Sequence, residues 1–182
     1  MNARSLAVAL LLALSLSTVS MAALAQQYTS SINRFAVGVN APWSRTTLPD
    51  PSAELFLRCE PSACGPTVLL SFGAFFDQNL KTAKIADFLL HAKGEAITQE
   101  VRSSQLVSRV VILKEGRTML GSAQAYEVLA ELTLKDGRKR IRHTFMTFNA
   151  GYIYSVNLGC PPEAHSKALS LAQPVLSSFQ FK

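Results

Sequence analysis

The central sheet of this protein is predicted from residues 126 to 158, which read YEVLAELTLKDGRKRIRHTFMTFNAGYIYSVNL. In the first part of this stretch every second side chain is apolar, which is the period of a β-strand that packs one face against a core. Residues 135–138 have the composition of a tight hairpin turn, and residues 149–151 form a second turn. The stretch therefore predicts a three-stranded antiparallel meander with strands at 126–134, 139–148 and 152–158.

The later strands of this meander carry apolar side chains on both faces, as where Phe145 is followed by Met146. Such a sheet needs a cover on each side. Residues 80–92 change to the spacing of an amphipathic helix, and Gly94 is placed to end it. A second helix is predicted to start near Pro161 and to bend or break at Pro174. These two helices are the predicted covers.

Two more strands are predicted on either side of a turn at 60–63, and each has a cysteine beside it, Cys59 and Cys64. A disulfide across the base of this hairpin fits the usual Cα separation of about 4.4–6.8 Å. Pairing of Cys160 with either partner is the alternative, and one thiol is left over in every case. A redox centre, or a metal site completed by Cys160 and His165, is a further alternative. The spacing lacks both the two-residue loop of thioredoxin-type motifs and a second zinc knuckle.

The first 25 residues have the basic, apolar and small-residue order of a secretory signal peptide, with cleavage expected after Ala25. An uncleaved membrane anchor over 6–25 is the alternative. Residues 26–182 contain no repeat or long linker and are predicted to be a single domain. A hydrophobic content of 48% excludes a disordered chain. We therefore expect export across the inner membrane to the periplasm, an oxidising compartment in which disulfides persist.

Several short signatures occur in a fixed order along the chain. They are an early strand ending in Ala41-Pro42-Trp43, a mid-chain helix, Gly121-x-x-x-Ala125-Tyr126 leading into a strand, the meander, and a final helix running into Leu176-Ser177-Ser178-Phe179. From Arg34 to Phe181 the chain resembles exported bacterial members of the PsbP-like superfamily. The resemblance implies an α+β fold, an α/β/α sandwich whose mainly antiparallel sheet is covered by helices on both faces. Members of the superfamily mostly bind or assist larger assemblies, so the resemblance supplies no catalytic residue and no cofactor.

Catalytic motifs are absent from the sequence, which has no nucleophile elbow, zinc-protease helix, phosphate loop or dinucleotide fingerprint. His91 is expected near a helix end and His143 on a strand, both in surface or edge positions. Glu127 and Glu131 share one face of a strand, where a solvated stripe is favoured over an acid/base pair. No catalytic residue, metal or cofactor is predicted.

Five cations surround the turn at 135–138, with only Asp136 opposing them: Lys135, Arg138, Lys139, Arg140 and Arg142. One interpretation is a solubilising turn. The other is a patch that binds an acidic envelope protein, anionic lipid headgroups or a polyanionic envelope polymer, because clustered charge of one sign raises the local potential. Nucleic acid is not an expected partner, since no aromatic stacking platform is interleaved with these cations.

Together these features predict an exported, non-enzymatic binding or assembly-accessory protein that acts through protein–protein contacts in the cell envelope. A small periplasmic thiol or redox protein, centred on Cys160 or on the Cys59/Cys64 pair, is one alternative. An immunity or inhibitor protein that neutralises an exported toxin is the other.

Overall fold

The computed structural model describes residues 26–48 and 53–182, so the predicted signal peptide and its cleavage site lie outside the described residues. Within these ranges the chain forms two β-sheets and five α-helices. The strands are β1 (Gln26–Ser30), β2 (Phe35–Val39), β3 (Trp43–Thr46), β4 (Leu55–Cys59), β5 (Leu69–Phe76), β6 (Val107–Leu120), β7 (Ala123–Leu134), β8 (Lys139–Asn149), β9 (Tyr152–Cys160) and β10 (Gln180–Phe181).

The larger sheet has seven strands in the order β3-β4-β5-β9-β8-β7-β6, and neighbouring strands are antiparallel. The predicted meander lies in this sheet, and β6 extends it to four consecutive strands. Thr133 pairs with Lys139 across the 135–138 turn, and Asn149 pairs with Tyr152 across the second turn. The α+β fold and its mainly antiparallel sheet are therefore confirmed.

The smaller sheet joins the two ends of the described chain in the order β1-β2-β10. It packs on the larger sheet through Phe35, whose side chain is fully buried. The Phe35 ring contacts those of Phe72, Tyr154 and Phe179, with centroids 5.9–6.4 Å apart. This aromatic cluster is part of the main core. Phe181 of β10, a strand that the sequence patterns did not predict, packs against Tyr154 and Phe179 with ring centroids 5.1 and 5.6 Å apart.

The helices lie on both faces of the larger sheet, as predicted. They are α1 (Pro61–Cys64), α2 (Ile85–His91), α3 (Gly94–Ile97), α4 (Gln99–Arg102) and α5 (His165–Ser177). The α5 helix contacts β2 and β9, while α2, α3 and α4 contact β6, β7 and β8 on the opposite face. We call these the α5 face and the groove face. In the part of the chain that the structure describes, no helix is long and apolar enough to cross a bilayer.

Gly94 does not end the mid-chain helix, so that prediction is wrong. Helix α2 stops at His91, and Gly94 is the first residue of α3. The Gly94 N–H donates to the Glu115 carboxylate of β6. A Cβ atom at residue 94 would displace that carboxylate, so the glycine leaves room for this hydrogen bond.

Two of the segments in which the sequence resembles the PsbP-like superfamily, one beginning at Gly121 and the other at Leu176, meet in space at the end of α5. The Gly121 N–H donates to the Leu176 carbonyl at 3.0 Å. Gly121 has a φ of +58°, and a Cβ atom there would lie 2.0 Å from the Phe179 carbonyl oxygen. Only glycine satisfies both the left-handed backbone and this close approach.

Cys59 and Cys64 are joined by a disulfide with a Cα separation of 6.0 Å, at the start and the end of the connection that contains α1. This is the first of the pairings considered from the sequence. Cys160 remains a thiol in the core.

Candidate functional site

The structure divides the five cations of the basic hairpin between different surfaces, because side chains alternate along β8. Lys135 and Arg138 are exposed in the turn itself. Arg138 pairs with Asp136 at 2.7 Å, and Lys139 pairs with Glu131 at 2.8 Å on the α5 face. The turn therefore carries part of the predicted patch, and two of its charges are already compensated by carboxylates.

Arg140 and Arg142 point to the groove face instead. Arg140 donates to the hydroxyl and to the carbonyl of Thr67, both at 2.7 Å. Arg142 donates to the Asn157 side chain at 3.1 Å and lies 3.9 Å from Glu100. These two guanidinium groups line a concave surface rather than the hairpin tip.

An exposed apolar side chain lies beside the hairpin turn. Leu106, just before β6, has 73% of its surface exposed. Its carbonyl accepts a hydrogen bond from the Lys135 backbone N–H at 3.0 Å. We define the hairpin surface as Leu106, Lys135, Arg138 and Lys139. Leu106 thus lies next to a turn whose cations raise the local potential and favour association with an acidic surface.

The groove face contains three adjoining cavities of about 440, 270 and 340 Å³, which together form what we call the sheet groove. The largest cavity lies under α2 and α3. Most of its lining is apolar and includes Leu80, Phe88, Ile97, Met146 and Phe148, while the exposed Asp87, His91 and Lys93 also border it. Phe88 of α2 stacks on Phe148 of β8 with ring centroids 6.4 Å apart, so one helix forms the roof and the sheet forms the floor.

The other two cavities are more polar. Their floor is a hydrogen-bonded row in which the Asn157 side-chain oxygen accepts from Thr144 at 2.8 Å and from Arg142 at 3.1 Å. The cavities meet along Glu100, Arg142 and Asn157, and Arg140 extends the lining of the outermost one. The sheet groove is thus mainly apolar at one end and more polar at the other, where two arginines and one glutamate line it.

A polar network with buried Glu127 and His143 at its centre occupies the α5 face. Glu127 of β7 accepts from Lys114, and its second carboxylate oxygen lies 3.2 Å from His143 Nε2. His143 Nδ1 lies 3.3 Å from His165 Nε2, at the first residue of α5. Four side chains from three strands and one helix therefore form one connected chain.

The predictions for Glu127 and His143 were wrong. Glu127 is 8% exposed and His143 is 4% exposed, so neither is solvated or at an edge. Burial opposes ionisation of Glu127, but hydrogen bonds from Lys114 and His143 outweigh it and hold the pKa of Glu127 below its usual value. Burial lowers the pKa of His143 more than Glu127 raises it, and burial also lowers the pKa of His165.

This network borders a cleft of about 510 Å³ between β6, β8 and α5. Within the described residues, no group of three or more His, Cys, Asp or Glu side chains could hold a metal ion. The register of the predicted hairpin held a signal for part of the network: Leu129 pairs with His143, which brings Glu127 diagonally beside it. Lys114 and His165 belong to β6 and α5, and no local sequence pattern predicts that they contact Glu127 and His143.

Cys160 and His91 complete the residues considered from the sequence. Burial raises the pKa of the Cys160 thiol to about 11, so the thiolate is rare at neutral pH. His91 is exposed at the last residue of α2, close to the position expected for it.

Comparisons with known proteins reveal a shared fold rather than a related sequence. No family model and no curated protein sequence matches this chain. Cyanobacterial PsbP (CyanoP) from Synechocystis sp. PCC 6803 superposes with a TM-score of 0.59 at 13% identity, over 87% of this chain and 94% of that one. LpqN of Mycobacterium tuberculosis, described as involved in cell envelope biogenesis, superposes with a TM-score of 0.50 at 10% identity, over 87% and 85%. A protein from Bacteroides thetaiotaomicron gives 0.53 at 12% identity, over 87% and 49%. The fold is PsbP-like.

Proposed function

We propose that this protein is an exported, non-enzymatic accessory protein that binds an envelope protein partner through the hairpin surface. The observation that carries the proposal is Leu106, which is 73% exposed and lies beside a cationic turn. The predicted signal peptide supports export to the periplasm, and so does the Cys59–Cys64 disulfide, since such bonds persist in oxidising compartments.

The charge of this surface indicates the chemistry of the partner. Lys135, Arg138 and Lys139 are exposed, and among the described residues Asp136 pairs with Arg138 and Glu131 pairs with Lys139. A partner with an apolar pocket and an acidic rim would bury Leu106 and face the cations. Exposed charges of this kind mainly accelerate association, and added salt screens them.

The alternative of a thiol or redox protein has less support. Cys160 is buried in the core, and the raised pKa of its thiol disfavours the reactive thiolate. An inhibitor of an exported toxin would be one kind of envelope partner protein, and identification of the partner would distinguish it.

The test is crosslinked co-purification of the full-length protein from the cell envelope. We expect one partner at constant stoichiometry, with recovery that falls as salt is raised. The triple variant Lys135→Ser, Arg138→Ser, Lys139→Ser and the single variant Leu106→Ser should each reduce recovery.

The matched control removes three exposed cations elsewhere, by Arg117→Ser, Lys167→Ser and Lys182→Ser. This control should retain the partner. Recovery of the protein alone would overturn the accessory role. Equal recovery with the hairpin variants and the control would overturn the assignment of the hairpin surface. If this chain is retained on anionic vesicles or on an envelope polymer and no partner protein is recovered, the hairpin surface binds one of those anions instead of a protein.

A further inference from the structure

The sheet groove has a shape and polarity that the hairpin surface does not explain. Its apolar chamber of about 440 Å³ lies between the short helices α2 and α3 and the strand β8. Ala83, Ala92 and Ala96 face the chamber from the helical segment. These small side chains leave space above Met146 and Phe148, which a larger residue at any of the three positions would fill. The chamber is within the size range of small-molecule sites, about 300–1,000 Å³.

The floor of the groove does not suit an extended peptide. Strands β8 and β9 are interior strands, and each is paired on both sides. No strand edge is therefore available there for β-augmentation. A peptide in the apolar chamber would bury N–H and C=O groups without partners, which is unfavourable. A hydrocarbon chain has no such groups, so it fits the chamber without this penalty.

The other end of the groove carries positive charge. The apolar chamber and the next cavity adjoin along Ala96, Ile97 and Met146, which line both of them. Beyond this junction lie the Arg142 and Arg140 guanidinium groups, with the Glu100 carboxylate as the opposing charge. Guanidinium groups bind carboxylates and phosphates through charge-assisted hydrogen bonds.

We propose that the sheet groove binds a single-chain anionic amphiphile, with its hydrocarbon tail in the chamber under α2 and α3 and its acidic headgroup near Arg142. The two ends of the groove match the two ends of such a molecule. This site is independent of the hairpin surface, and it adds a small-molecule ligand to a protein proposed above to bind another protein.

The probe is cis-parinaric acid, a fatty acid whose fluorescence rises when its chain enters an apolar site. The full-length exported protein should increase its fluorescence, and laurate should compete. Methyl laurate has the same chain without the charge and should compete about tenfold less well, the value of one hydrogen bond to a charged group. Equal competition by the two would overturn the headgroup assignment.

Two matched substitutions test the junction. Ala96→Phe places a large ring where the two cavities join and should weaken binding at least about tenfold. Ala86→Phe adds the same ring at an exposed position of α2 that does not line the groove, and binding should be retained. Circular dichroism verifies that both variants are folded. Absence of parinarate binding to the unmodified protein, or equal binding by the two variants, would overturn the site.

A third variant tests the charge. Arg142→Gln should reduce the affinity for laurate about tenfold and leave that for methyl laurate unchanged. A parallel loss of both would show that Arg142 shapes the groove without contacting the headgroup, which contradicts the proposal. Partner recovery by the Ala96→Phe variant separates this inference from the accessory role, since blocking the groove leaves the hairpin surface intact.

Discussion

Replacing Gly121 by alanine should destabilise this protein far more than the same change at two other glycines. Gly121 lies between β6 and β7 with a φ of +58°, and a Cβ atom there would lie 2.0 Å from the carbonyl oxygen of Phe179. The clashing atom belongs to the backbone, so no side-chain rotation relieves it. Either the β6–β7 turn or the segment after α5 has to move.

The size of the effect follows from three losses. A left-handed backbone costs a non-glycine residue about 1–2 kcal/mol. Separation of the turn from α5 removes the hydrogen bond from the Gly121 N–H to the Leu176 carbonyl, worth about 0.5–1.5 kcal/mol. Phe179 is 2% exposed, and its displacement sacrifices part of the roughly 1.5–3 kcal/mol gained by burying such a ring. The sum is about 3–5 kcal/mol, a large share of a total stability of about 5–15 kcal/mol.

Two control glycines separate these contributions. Gly137 has a φ of +83° and nothing within 4 Å of a built Cβ atom, so Gly137→Ala should lose only the backbone preference, about 1–2 kcal/mol. Gly116 has open space and no positive φ, so Gly116→Ala should change stability by less than about 1 kcal/mol.

Urea unfolding followed by circular dichroism measures all three variants. With a slope of about 2 kcal/mol/M, Gly121→Ala should lower the midpoint by about 2 M. An equal free energy of unfolding for Gly121→Ala and Gly137→Ala would show that the close approach to Phe179 does not stabilise the fold.

Three further predictions concern the histidines and the cysteines. Burial lowers the pKa of His143 and His165, so the unfolded chain binds more protons and the free energy of unfolding should fall as the pH drops below about 6.5. The variant His143→Gln should weaken this pH dependence when stability is measured by urea titration. An unchanged dependence in that variant would contradict the prediction. The Cys160 thiol, with its pKa raised to about 11, should resist a disulfide reagent in the folded protein and react after unfolding. Rapid labelling of the native protein would contradict the burial of this thiol. Replacing Cys59 and Cys64 together by serine should lower the free energy of unfolding by about 2 kcal/mol, the value for so short a loop, and an unchanged urea midpoint would contradict this.

Much of the fold could be predicted because its central strands are local and regular. The alternation in residues 126–158, with two short turns, specifies an antiparallel register that the structure reproduces at Thr133 and Lys139. The mid-chain helices were less predictable. Helices α3 and α4 have four residues each and are too short for an apolar stripe to be recognised. Gly94 does not end a helix; its N–H donates a hydrogen bond to Glu115 of β6.

The functional surfaces were only partly predictable. The alternation of side chains along β8 already implies that Lys139 and Arg140 point to opposite faces, although the five cations look like one cluster in the sequence. The sheet groove could not be foreseen, because it results from the distance at which short helices rest on the sheet. Small residues such as Ala96 indicate such a gap only when the opposing residues are known.

The strand periodicity, the hairpin register, the Cys59/Cys64 proximity and the density of charge at one turn all follow from the amino-acid sequence, since they depend on neighbours along the chain. Tertiary contacts, in contrast, bury Glu127 and His143, bring His165 of α5 next to His143, and place β10 beside β2 in the smaller sheet. The physical reason is that burial and ionisation depend on groups brought together from distant parts of the chain. A charged residue on a strand looks solvated until the element that covers it is known.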